Sequence, residues 1–148
     1  MQRRYFSATL VLLAALAGCG DGLTRVSVEG KITAKGKPVD NATIQFIPTG
    51  ATKGEGGIGR SDSAGNFTLT GSRQGHEGVV PGEYKVRVRR RVGLDGTILP
   101  PEAKEVENPS KETVPAQYAS AESPLRVTVP DTGGPVTIDI PEALLDRK

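Results

Sequence analysis

Apolar and polar residues alternate along most of this chain in short runs, at the two-residue period of strands rather than the longer period of helices. Val26, Val28, Gly30 and Ile32 share one face of Arg25 to Thr33, with Ser27, Glu29, Lys31 and Thr33 on the other, as in a half-buried strand. Ala42, Ile44 and Phe46 alternate with Thr43, Gln45 and Ile47 as far as Pro48. Runs from Ile58 to Ser61 and from Phe67 to Thr70 flank Asp62-Ser63-Ala64-Gly65-Asn66, which predicts a hairpin. The clearest strand spans Glu83 to Arg91, with Tyr84, Val86 and Val88 inward and Lys85, Arg87 and Arg89 outward. Leu125, Val127 and Val129, then Val136, Ile138 and Ile140 beyond the Pro130 to Pro135 turn, predict a final hairpin. The seven strands predict an all-β fold, a seven-stranded antiparallel β-sandwich over residues 25–141.

The interruptions are as informative as the strands. Ala34-Lys35-Gly36-Lys37-Pro38 has turn chemistry. Thr49 to Gly57 and Gly71 to Val80, which carries the single histidine His76, read as polar loops. Residues 92–124 hold five prolines and no sustained period. Their length exceeds the ~12–15 residues that compact domains tolerate without structure, so this insertion is expected to be either functional or disordered. Within it, Val114-Pro115-Ala116-Gln117-Tyr118 is the most apolar part. Residues 142–148 form a short tail.

The first residues follow a different pattern. Arg3 and Arg4 precede an apolar run from Ala8 to Ala17, about half the ~20 residues of a membrane-crossing helix. Residues 1–18 therefore read as a secretory signal peptide. Leu16-Ala17-Gly18-Cys19 resembles the bacterial lipobox. That resemblance implies cleavage before Cys19, a lipid on its thiol and an acylated new amine, with residues 19–24 as lipidated N-terminus and spacer. Cys19 is the only cysteine, so no internal disulfide competes for it. The expected location is the cell envelope, at the outer membrane or the periplasmic face of the inner membrane, anchored by two or more acyl chains.

Removing the signal changes the charge. The full chain is formally +2, but cleavage takes away Arg3 and Arg4 and leaves 17 Lys and Arg against 17 Asp and Glu. The neutral remainder gives no general case for nucleic-acid binding. With 19 Gly, 11 Pro and no Trp, the composition suits strands separated by turns.

Several segments are similar to the carboxypeptidase regulatory-like domain: Val28-Glu29-Gly30-Lys31-Ile32, Gly36-Lys37-Pro38-Val39, Ala42-Thr43-Ile44-Gln45-Phe46, Asp62-Ser63-Ala64-Gly65-Asn66-Phe67 and Pro81-Gly82-Glu83-Tyr84-Lys85-Val86. The resemblance spans about Val26 to Val88 and implies a prealbumin-like (transthyretin-like) sandwich with Greek-key, immunoglobulin-like character. With the lipobox, the whole chain resembles small lipoproteins of this type common in planctomycete bacteria. Their molecular function is undefined, so the resemblance implies a fold rather than an activity.

Candidate chemistry is sparse. His76 is the single near-neutral base and has no second histidine for a usual metal set; a solvated loop histidine is expected. Asp62, Ser63 and Asn66 lack EF-hand spacing and are expected to shape a turn. No catalytic, cofactor or metal residue is assigned. The remaining feature is the basic stripe Lys85, Arg87, Arg89, Arg90 and Arg91, a candidate surface contact for anionic headgroups or acidic polysaccharide, with Tyr118 as a second candidate contact. The expected function is a non-enzymatic structural or adhesive envelope module binding protein or glycan through its loops. The alternatives are a cell-wall carbohydrate-binding module and a lipid-tethered enzyme.

Overall fold

The computed structural model describes residues 21–73 and 75–145. The expected signal peptide and the lipidation of Cys19 lie outside the described residues. In chain order the strands are β1 (Val28–Ala34), β2 (Lys37–Pro38), β3 (Thr43–Pro48), β4 (Gly57–Arg60), β5 (Asn66–Thr68), β6 (Thr70–Gly71), β7 (Gly82–Arg89), β8 (Arg91–Gly93), β9 (Ser110–Glu112), β10 (Arg126–Val129) and β11 (Gly134–Ile140). One helical turn, α1 (Ala116–Ala119), precedes β10.

The fold is all-β. One sheet is built on β1, with β11 on one side and β2 and β5 on the other. The second runs β10-β7-β3-β4-β6, and β8 and β9 form a separate two-stranded ribbon. The inward faces of the two larger sheets meet in one core. Val28, Ile32, Val136, Ile138 and Phe67 come from the first, and Ile44, Phe46, Tyr84, Val86 and Val88 from the second. Phe46 is the hinge of that contact, edge-on to Phe67 at 6.4 Å and tilted against Tyr84 at 5.5 Å.

Alternation predicts the faces correctly, and the pairing departs from expectation at three places. β11 does not fold back on β10. It lies parallel to β1 from Val28↔Gly134 to Ala34↔Ile140, while β10 pairs with β7 in the other sheet. The Pro130 to Gly133 turn thus carries the chain between layers, so the first sheet is mixed rather than antiparallel. The hairpin expected around Asp62 is split in the same way. β5 pairs with β1, the chain changes sheet at buried Leu69, and only β6 reaches β4. A strand that switches sheets makes a corner and serves both layers. Finally, residues 92–124 are not a structureless loop, since they supply β8, β9 and α1.

Two local conformations follow from residue type. Lys35 and Gly36 take φ of +50° and +76°, the left-handed pair required by a two-residue turn between β1 and β2. Gly30 is needed for space. A Cβ there would lie 2.4 Å from Phe67 Cζ and 2.7 Å from the Val136 carbonyl oxygen, because Gly30 sits between β5 and β11 with the Phe67 ring over it.

Gly30→Ala should therefore destabilise the fold by about 1–3 kcal/mol, the usual cost of overpacking. Leu94→Ser, at a position 86% exposed, should stay within about 0.5 kcal/mol. Urea unfolding compares the two, and equal midpoints would remove the steric role of Gly30.

Candidate functional site

The basic stripe does not present five equivalent surface charges. Lys85, Arg87 and Arg89 point out from β7 as the alternation requires, each half-buried. Lys85 Nζ donates to Glu122 Oε2 at 3.2 Å. Arg89 reaches Glu112 through Nε (3.4 Å) and Glu105 through Nη2 (3.2 Å). Arg91, on β8, donates from Nη2 to the Ala103 carbonyl at 2.8 Å and from Nε to Ser110 Oγ at 3.2 Å, and it lies 3.6 Å from Glu105. Arg87 differs, because its Nε donates to the Ala119 carbonyl at 2.8 Å and no carboxylate pairs with it among the described residues. The acids that neutralise the stripe come from 105–122, the same insertion expected to be a loop.

Arg90 corrects the surface assignment outright, being only 3% exposed. It continues the inward series Tyr84, Val86, Val88 and points under the end of the sheet. Its Nε donates to the Asp40 carbonyl at 2.8 Å, Nη2 to Asp40 Oδ1 at 2.9 Å and Nη1 to Thr113 Oγ1 at 3.3 Å. Its backbone N–H donates to Glu112 Oε1, and its carbonyl accepts from both the N–H and the hydroxyl of Thr113. Arg90 therefore clamps the turn before β3 and the strand end at Thr113 to the end of β7. Burial alone would raise the Asp40 carboxyl, but the Arg90 charge and hydrogen bonds from Asn41 and Arg90 outweigh it and hold the group below its ordinary value. Tyr118 also leaves the surface. It is 4% exposed, packs into the core and donates its hydroxyl to Glu142 at 3.0 Å.

His76 is less solvated than expected. It sits at the opposite end of the second sheet, half-buried, with Nδ1 3.8 Å from Glu55 Oε2 and without a hydrogen-bond partner. Ligand atoms of Asp21, Glu55 and His76 lie within 4.8 Å of one another. Arg25 already occupies that centre, with Nη2 2.5 Å from Asp21 Oδ2 and 3.5 Å from Glu55 Oε2. A metal ion would have to expel a guanidinium, so the group is an arginine-centred ion cluster. The hydrogen bond from Arg25 is the main cause that holds Asp21 well below the carboxylate range. Sequence spacing could not reveal this cluster, since its members lie on three segments far apart in the chain. Asp62 shapes its turn as expected. Its two oxygens accept from the N–H groups of Ala64 and Asn66 and from the Asn66 amide.

Several concave surfaces border these groups, one of them between Arg89, Arg91, Glu105 and Glu112. An open groove of about 670 Å³ lies along the first sheet, with Glu29, Lys31, Asn66 and Thr137 in its lining. A smaller cavity of about 160 Å³ sits on the outer face of the second sheet, floored by Thr43, Gln45 and the arginines 87, 89 and 91 and walled by Leu99, Pro100 and Pro101. No family model, curated protein or solved structure matches the chain. Among the described residues no helix is long and apolar enough to cross a membrane.

Arg90→Met should cost about 2–3 kcal/mol, somewhat less than breaking a fully buried pair because the Asp40 side chain is 36% exposed. Arg90→Lys should recover under half of it, since an ammonium cannot reproduce the fork. Denaturant titration reads both, and amide exchange of 91–114 should rise in the Met variant. The Asp40 carboxyl is depressed in the folded state, so its stabilisation is complete above the unfolded value of about 4 and is lost as pH falls through the folded value. Asp40→Asn should flatten that part of the acid destabilisation; an unchanged acid profile would exclude Asp40 from it.

Proposed function

We propose that the chain is an exported lipoprotein, anchored through Cys19 to the cell envelope. Its two sheets form a prealbumin-like sandwich of the carboxypeptidase regulatory-like type, which acts as a non-enzymatic binding module. The carrying observation is the spacing between the lipobox-like Leu16-Ala17-Gly18-Cys19 and the fold. Asp21 is already bound by Arg25, so at most about 7 Å of chain separates Cys19 from the first contact of the domain. The domain is thereby held close against whatever surface the lipid enters.

This tether orients the domain. Val26 bridges to Val79, Arg25 meets Glu55, and Thr52 bonds Glu83, so the anchored end is the Gly82 end of β7. Arg89 lies seven residues further along β7, or about 23 Å at 3.3 Å per residue. That is more than two Debye lengths at physiological salt, so with β7 standing off the surface Arg89 lies beyond the field of the anchoring headgroups. A non-enzymatic role is in keeping with His76 Nδ1, which faces Glu55 and has no hydrogen-bond partner among the described residues.

Cys19→Ala should abolish palmitate labelling and move the protein from the membrane pellet to the soluble fraction. Persistent labelling of that variant would sink the anchor. His76→Ala should leave any cellular phenotype of the gene intact, and loss of that phenotype would favour a tethered enzyme.

A further inference from the structure

The outer-face cavity is built from two rows that cross the second sheet. Ile58, Gln45 and Arg87 are register neighbours in one row, and Arg60, Thr43 and Arg89 in the next. The 98–101 segment walls the cavity, tied down by the Leu99 N–H on the Arg91 carbonyl at 2.8 Å and by the Val92–Ile98 bridge. The result is a cationic floor beside an apolar wall, with no carboxylate among the lining residues.

The hydrogen-bonding inventory of this floor is incomplete. Each of Lys85, Arg89, Arg90 and Arg91 lies within 4 Å of a carboxylate or, for Arg91, at 3.6 Å from one it shares with Arg89. Arg87 spends only Nε, on the Ala119 carbonyl. Its two terminal nitrogens have no partner among the described residues, and neither do the side chains of Thr43 and Gln45. A planar fork with free donors recognises a carboxylate or sulfate oxygen pair. The hydroxyl and amide beside it can exchange hydrogen bonds with a polyol, while Pro100 and Pro101 offer a flat apolar face. At about 30 Å³ per water, the space holds roughly five waters, enough for one charged sugar ring in part and too little for a drug-sized ligand.

We infer that this cavity binds a single acidic sugar unit, its carboxylate or sulfate ester on Arg87 and its C–H face against Pro100 and Pro101. The inference rests on the envelope-module proposal for the source of such a ligand, an acidic polysaccharide facing the distal end of the domain. It does not depend on Cys19. On the proposed anchoring, Arg87 lies five residues, about 17 Å, along β7 from the tethered end. A nucleic-acid strand is disfavoured because the lining holds no aromatic ring on which a base could stack.

The test uses the full-length protein in detergent micelles, titrated calorimetrically with a galacturonate trisaccharide, a chondroitin sulfate disaccharide, neutral maltotriose and inorganic sulfate. One saturable site is expected for at least one acidic saccharide, weakening as salt rises from about 50 to 200 mM, with no binding of maltotriose. Arg87→Gln should weaken it about tenfold. Pro101→Glu, a change at an exposed residue that sets a carboxylate in the cavity wall, should do the same at unchanged melting temperature. Equal binding by folded Arg87→Gln, equal affinity for maltotriose, or no binding of either acidic saccharide overturns the inference. Inorganic sulfate bound as tightly as the saccharides overturns its sugar component. Failure here would leave the fractionation of Cys19→Ala unaffected, and failure of the anchor would leave this titration unaffected.

Discussion

A guanidinium buried at the end of a strand organises the distal half of this molecule. Burying an arginine is tolerable only when its donors are met, and Arg90 meets them with the Asp40 carbonyl and carboxylate and the Thr113 hydroxyl. Those partners come from the turn before β3 and from the far side of a long insertion. Once they are gathered, Val92 and Ile98 form a bridge, β9 lies against β8, and Leu99 to Pro101 stand beside the outer face. The insertion is held by this clamp together with the burial of Val114 and Tyr118 in the core.

The same clamp separates the roles of neighbouring arginines. Along β7 and into β8, successive residues alternate between the core and the outer face, so Arg90 is structural while Arg89 and Arg91 face the acids of the insertion. Arg87 falls beyond the reach of Glu105 and Glu112, and its fork remains open. Salt bridges at the rim contribute little to stability when exposed, and those of Glu105, itself 69% exposed, serve mainly to place the insertion over the stripe.

The two ends of the second sheet are chemically distinct. Near Gly82, Asp21, Arg25 and Glu55 form an ion cluster, with His76 beside Glu55, that fastens the N-terminal segment to two loops. Near Arg89, a cationic floor meets an apolar wall.

Strand faces were legible in the chain because side-chain direction alternates with strict period two, and burial of one face is visible as alternation. That alternation placed Tyr84, Val86 and Val88 inward, and it also carried the signal that Arg90 points inward, which its place in a run of basic residues obscured. The turn at Asp62 was likewise a local property, whereas the need for a small residue at Gly30 arises from Phe67 and Val136 on neighbouring strands. Partners were not legible, since alternation states which face is apolar and not which strand supplies the neighbouring hydrogen bonds. Only the packed structure sent β11 to β1 rather than β10, split the Asp62 hairpin between two sheets and brought Asp21, Glu55 and His76 together. It also left Arg87, alone in the basic stripe, without a carboxylate among the described residues, because that outcome depends on where Glu105, Glu112 and Glu122 come to rest. Sequence therefore determined the periodic, short-range features, and tertiary structure decided every contact between segments distant in the chain.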